Sequence, residues 1–164
     1  MAIPSLHGDI SDPTGDALPS AQVPIPPDLV QGTADVLAGD ITFTVRLAPT
    51  TFAGTTVLNI RLDTDQDPST GLFVGTDYIV DMGEGYGNRA VITKYAGTAT
   101  YVAVGDVPVS FVGNGMNVTV PLSLLGNDDG KLDFRVLSFT RPSTTTVFLH
   151  DGMPDFALSP GRVQ

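Results

Sequence analysis

Ile41-Thr42-Phe43-Thr44-Val45-Arg46-Leu47 alternates apolar and polar side chains without a break. Successive side chains on an extended strand point to opposite faces, so Ile41, Phe43, Val45 and Leu47 share one face and Thr42, Thr44 and Arg46 the other. That pattern predicts a half-buried antiparallel strand. Leu58-Asn59-Ile60-Arg61-Leu62 repeats it. Working outward, strand-like runs follow at Tyr78–Met82, Arg89–Tyr95, Thr100–Val104, Val107–Val112, Met116–Leu122, Leu132–Thr140 and Thr145–His150. Glycine and asparagine punctuate them, and Gly113-Asn114-Gly115 between two runs is a hairpin signal. Only Pro121–Leu125 reads as a helical turn. About ten short strands at this spacing predict an all-β, two-sheet antiparallel sandwich of jelly-roll type, with few or no helices. The expectation is one domain over residues 1–164, with residues 1–33 as an irregular Pro/Gly/Asp-rich segment packing on or extending from it.

Composition narrows the chemistry. The 164 residues carry a formal net charge of −10, with 18 acidic against 8 basic residues. Such a surface repels phosphate backbones, which argues against nucleic acid. Seventeen of the acids are Asp and only one is Glu, Glu84. Helical surfaces favour Glu, whereas Asp favours turns, caps and oxygen-ligand metal loops. There is no cysteine, which removes disulfides and thiolate chemistry. No run is long and apolar enough to read as a membrane helix. Met1-Ala2-Ile3-Pro4 lacks the basic and apolar regions of a signal peptide. Placement outside the cell or at its surface is therefore an expectation drawn from the aspartate loops.

Leu62-Asp63-Thr64-Asp65-Gln66-Asp67-Pro68-Ser69-Thr70-Gly71 follows a strand and spaces its carboxylates at alternate positions. A loop curling round a hard cation turns alternate side chains inward, and Asp77, just ahead of the next strand, completes the candidate shell of Asp63, Asp65, Asp67 and Asp77. Calcium takes six to eight oxygens in irregular geometry and suits this donor set. A second group, Asp9, Asp12, Asp16 and Asp28, and a third, Asp151 and Asp155, lie toward the two ends of the chain. A sandwich can bring these ends together around a shared ion. Asn127-Asp128-Asp129-Gly130 reads as a turn.

The order of these pieces resembles bacterial secreted domains similar to family-9 carbohydrate-binding modules and DOMON-type jelly rolls. The matching stretches are Asp12–Ala17, Pro27–Leu29, Ile41–Leu47, Leu62–Gly71, Asp77-Tyr78, Leu132–Val136 and Asp151–Asp155. The resemblance implies a β-sandwich with structural calcium. The sequence departs from the carbohydrate-binding pattern in having no Trp.

Catalysis is not expected. The two histidines, His7 and His150, stand near no nucleophile elbow, and Gly83-Glu84-Gly85-Tyr86-Gly87 lacks the lysine and following helix of a phosphate loop. Tyr86 and Tyr95 are the candidate ligand-binding side chains, as a shallow aromatic platform. The leading expectation is thus a non-catalytic extracellular calcium-binding accessory module, with a polysaccharide or cell-surface ligand as partner. The alternative is a self-assembling surface-layer or filament subunit whose first 33 residues pair with a neighbour's sheet edge.

Overall fold

In the computed structural model, residues 5–49, 55–143, 146–155 and 158–164 are described. Eleven strands follow in order: β1 Leu6–Ser11, β2 Leu29–Leu37, β3 Asp40–Leu47, β4 Thr56–Asp63, β5 Tyr78–Gly83, β6 Arg89–Tyr95, β7 Tyr101–Val112, β8 Gly115–Pro121, β9 Asp133–Ser143, β10 Thr146–Met153 and β11 Gly161–Arg162. Thr145, which the sequence placed at the start of β10, lies outside the described residues. The helical turn read at Pro121–Leu125 is a single 3-10 turn, Leu122–Leu125, ended by Gly126 at φ 77°. Only glycine enters that left-handed region without strain.

The strands form one sheet, not two. Its order is β1-β2-β3-β8-β7-β6-β5-β4-β9-β10, with β11 on the same edge of β9 as β10, and every pairing is antiparallel. This corrects the expected two-sheet sandwich and, with it, the jelly-roll resemblance. The physical reason lies in β7. Its amino-terminal part pairs with β6 and its last four residues pair with β8. The two runs read as separate strands, Thr100–Val104 and Val107–Val112, are one 12-residue strand. It carries the sheet round the corner where a sandwich would need a break. Gly105 sits at the bend, beside a register shift between Ile92 and Thr93 of β6, and a Cβ there would meet Leu124 side-chain carbons at 3.0 Å. Bulges and glycines are how a sheet curls toward closure.

The curled sheet is a nearly closed barrel. Its seam lies between β1 and the carboxyl-terminal strand, where His7 and Gln164 exchange backbone hydrogen bonds, each 3.4 Å long. Gly8 of β1 packs there so closely that a Cβ would lie 2.7 Å from the Arg162 carbonyl oxygen. The segment read as irregular therefore supplies a strand of its own barrel. It is not a free arm for a neighbour's sheet edge, which corrects the strand-exchange alternative.

The interior takes one face of each strand: Ile41, Phe43, Val45 and Leu47 from β3, Leu58, Ile60 and Leu62 from β4, and Phe134 and Val136 from β9. The Phe43 and Phe134 rings meet across it at 5.9 Å. Each such side chain contributes on the order of 1.5–3 kcal/mol by leaving water.

Candidate metal centres

Two clusters of three aspartates form on the barrel, each with carboxylate oxygens within 4.8 Å of one another. They have the donors to coordinate a divalent metal.

The first cluster, Asp63, Asp65 and Asp77, closes the β4–β5 connection. Asp63 ends β4; Asp77 precedes β5, and the Asp77 backbone N–H donates to the Leu62 carbonyl at 2.8 Å. Asp65 faces them from the bend, with Gln66 at φ 56° turning the chain. Each carboxylate is held by local donors. Asp67 N–H donates to Asp63 Oδ1 at 3.1 Å and to Asp65 Oδ1 at 3.0 Å. The Thr64 N–H and hydroxyl both donate to Asp77 Oδ2 at 3.0 Å. The loop backbone presses in at Gly75, where a Cβ would stand 2.3 Å from Asp63 Oδ2. Burial, then the Asp65 contact, pushes Asp63 up to about 7 from 3.8. Its cross-strand neighbour Asp133 is neutralised by Arg162, which donates to both its oxygens at 2.8 and 2.7 Å. Among the described residues Asp63 has no such cation.

The second cluster, Asp12, Asp16 and Asp151, stands where β10 approaches the start of β2. Asp12 and Asp16 lie on the β1–β2 connection and Asp151 on β10. Asp151 Oδ2 accepts the N–H of Leu29, the first residue of β2, at 2.7 Å. A few residues away the connection is clamped by His150. Leu18 N–H donates to the His150 carbonyl at 2.8 Å, and the His150 ring contacts the Leu18 carbonyl at 2.7 Å. A carbonyl can only accept, so Nδ1 carries the proton; Nε2 faces the Thr140 hydroxyl at 2.6 Å. Both carboxylate oxygens of Asp12 are buried without a hydrogen-bond partner. Burial, then the charges of Asp151, Asp16 and Asp155, pushes Asp12 up to about 7 from 3.8; its close approach to the Asp151 carboxyl, which only a shared proton or a cation can turn into a bond, adds to the shift, and burial raises Asp151 as well.

Of the other candidate ligands, Asp155 and Asp28 lie near the second cluster, whereas Asp67 and Asp9 are engaged or exposed elsewhere. Asp67 spends its carboxylate on the Ser69 N–H at 2.9 Å and hydroxyl at 2.6 Å, which hold its pKa below 3.8. Asp9 is exposed on β1, 4.0 Å from His7. Asp28 is buried behind the second cluster and accepts the Gly15 N–H at 2.8 Å. Asp155 borders a cleft of about 210 Å³ beside Asp16, His150 and Asp151. Asp128 and Asp129 each accept an N–H two residues on, as a turn does. Tyr86 lies in the β5–β6 turn and Tyr95 at the far end of β6, packed on Tyr101 at 5.6 Å. The structure does not bring these two tyrosines together.

The sequence reading missed the outer surface beside the first cluster, where Arg61, Arg135 and Arg162 line a cleft of about 460 Å³. Its only sequence signal is arginine at outward positions of strands in an acidic chain.

No protein-family model matches the chain, and no curated protein matches it significantly. What the geometry defines is an all-β barrel with two aspartate clusters. The carbohydrate-binding-module reading of an accessory jelly roll loses its basis, because the sheet order of this barrel is not that of a two-layer sandwich.

Proposed function

We propose that this chain is a calcium-stapled β-barrel, in which one ion locks the β4–β5 loop and a second ties the β1–β2 connection to β10. The observation that carries the reading is Asp12, whose two buried oxygens have no hydrogen-bond donor and face two further carboxylates. Burying an ionised carboxylate without a partner is costly, and a divalent cation offsets both the desolvation and the mutual repulsion. Calcium suits an all-oxygen set of Asp carboxylates with nearby loop carbonyls, while sulfur- and imidazole-seeking metals do not. The histidines are engaged in structural contacts, His150 in the clamp and His7 with Asp35 at 2.6 Å, and the reading assigns the ions a structural role.

The test is calorimetric titration of metal-stripped protein with calcium and with magnesium. Two calcium equivalents are expected, with Asp12→Asn and Asp65→Asn each removing one. A calcium isotherm without saturable heat, or a stoichiometry unchanged in both variants, refutes the proposal.

A further inference from the structure

We infer that the cleft flanked by the β4–β5 loop and β11 binds a small organic carboxylate with an apolar body. Arg61 of β4 and Arg135 of β9 are direct cross-strand partners. Like charges placed opposite each other destabilise a sheet. Among the described residues neither guanidinium lies within 4.0 Å of a carboxylate. Among the described residues Arg61 donates only its Nε–H, to the Asn59 side-chain oxygen at 3.2 Å. Arg135 donates to backbone carbonyls, among them Pro154 at 3.3 Å. Both arginines are partly buried, so each guanidinium is partly desolvated with no carboxylate among the described residues beside it to offset the loss. The Nη donors of Arg61 therefore remain for a planar, bidentate acceptor.

The roof of the cleft supplies the second observation. Phe73 and Val74 stand at φ 49° and 64°, one after the other, and remain 65% and 70% exposed. A β-branched residue in the left-handed region is strained, and such strain persists where the surroundings enforce it, commonly at ligand clamps. Here the Leu72–Thr76 bridge enforces it, with backbone bonds of 3.0 and 2.9 Å. The strained turn sets the Phe73 ring beside the Arg61 guanidinium at 5.2 Å and places Val74 in the cleft wall with Pro68, Phe134 and Pro160. An apolar body fits between these walls while its charge meets Arg61 and Arg135.

The charge of the ligand follows from its surroundings. Asp63 and Asp133 border the same cleft, and the chain carries −10 overall. Multiply charged phosphates and polyanions are repelled by that field, whereas a monoanion is accommodated by the two guanidiniums. A volume of about 460 Å³ is that of a small-molecule site. The inference does not depend on a cation at Asp63, because Asp133 already has Arg162 and the guanidinium pair stands without either.

The test is amide-resolved NMR titration of the whole chain with N-acetyl-phenylalanine and, separately, its uncharged primary amide, in calcium and again in chelator. Saturable shifts at Phe73, Val74, Gly75 and Thr76 are expected with the acid below about 20 mM. The amide is expected to bind about tenfold more weakly, and Arg61→Gln to lose about the same factor. Phe73→Ala, an exposed side chain whose loss leaves the core intact, is expected to weaken binding severalfold and serves if Arg61→Gln does not fold. Equal binding of acid and amide, full retention in the folded Arg61→Gln or Phe73→Ala variant, or no saturable shift overturns the inference. Binding in calcium but not in chelator would refute its independence from the cation while leaving the calcium sites standing.

Discussion

Asp12→Asn is predicted to shift stability in opposite directions with and without calcium. In metal-free protein the Asp12 carboxylate is buried, unpartnered and within 4.8 Å of the oxygens of Asp16 and Asp151. At that distance each like-charge pair costs about 1–3 kcal/mol, for an effective dielectric between bulk water and a protein surface. Asn keeps the shape, removes the charge and adds donors toward its neighbours. The variant should therefore be more stable than the parent by about 1–2 kcal/mol at about pH 8, where the carboxyl is mostly ionised. In a barrel of this length that raises the melting midpoint by about 2–8 °C. With calcium at a hundredfold excess over its dissociation constant, each occupied site adds about 2.7 kcal/mol, or about 5–10 °C. The parent gains this twice and the variant once. Differential scanning fluorimetry in chelator and in calcium reads both arms. A lower midpoint for the variant in chelator, or a calcium increment equal to the parent's, would refute the reasoning that an unsatisfied carboxylate marks the second site.

Metal-free protein should lose stability as pH rises from about 4 to 7. Asp12 and Asp63 are raised to about 7 from 3.8, so between these values the native state holds protons that the unfolded chain has released. Their contribution is complete below the unfolded value and disappears as pH climbs through about 7. After allowance for solvent screening it is about 1–2 kcal/mol per carboxyl, and calcium should flatten or reverse the slope in urea melts at several pH values. Gly75→Ala forces a Cβ at φ 83° to within 2.3 Å of Asp63 Oδ2. It should cost about 1–3 kcal/mol and remove one calcium equivalent by calorimetry; an unchanged stoichiometry would count against the loop site. His150→Leu deletes a buried contact to Thr140 and a part-buried one to Leu18, and should cost about 2–4 kcal/mol by equilibrium unfolding; a change below about 0.5 kcal/mol would dismiss the clamp.

Strands with clean alternation were legible because one face of each lines the barrel interior. Ile41–Leu47 and Leu58–Leu62 carry their apolar residues at every second position, and both appear in the expected phase. β1 was not legible. Its inward positions are Gly8 and Ile10, and glycine is there because β11 leaves no room for a Cβ. A tertiary constraint of that kind leaves no hydrophobic period. The joining of two apparent strands into β7 was hidden for a related reason: Gly105-Asp106 reads as a turn but is accommodated in an extended strand by the shifted register of β6.

The loop cluster was legible through its alternate spacing, which local geometry translates directly into convergence of Asp63 and Asp65. Asp67 breaks the rule because Ser69 offers a nearer donor. Asp12, Asp16 and Asp151 belong to distant parts of the chain, and only the approach of β10 to β2 makes them neighbours. Arg61 and Arg135 likewise meet through strand register, which no local pattern encodes.

The pairing of His7 with Gln164 sets the first and last described strands side by side and antiparallel. A tensile load applied to the two ends of the chain falls on those two long hydrogen bonds in succession, peeling the strands apart like a zipper rather than shearing many bonds together. The barrel's line of least resistance is thus the contact between β1 and the carboxyl-terminal residues.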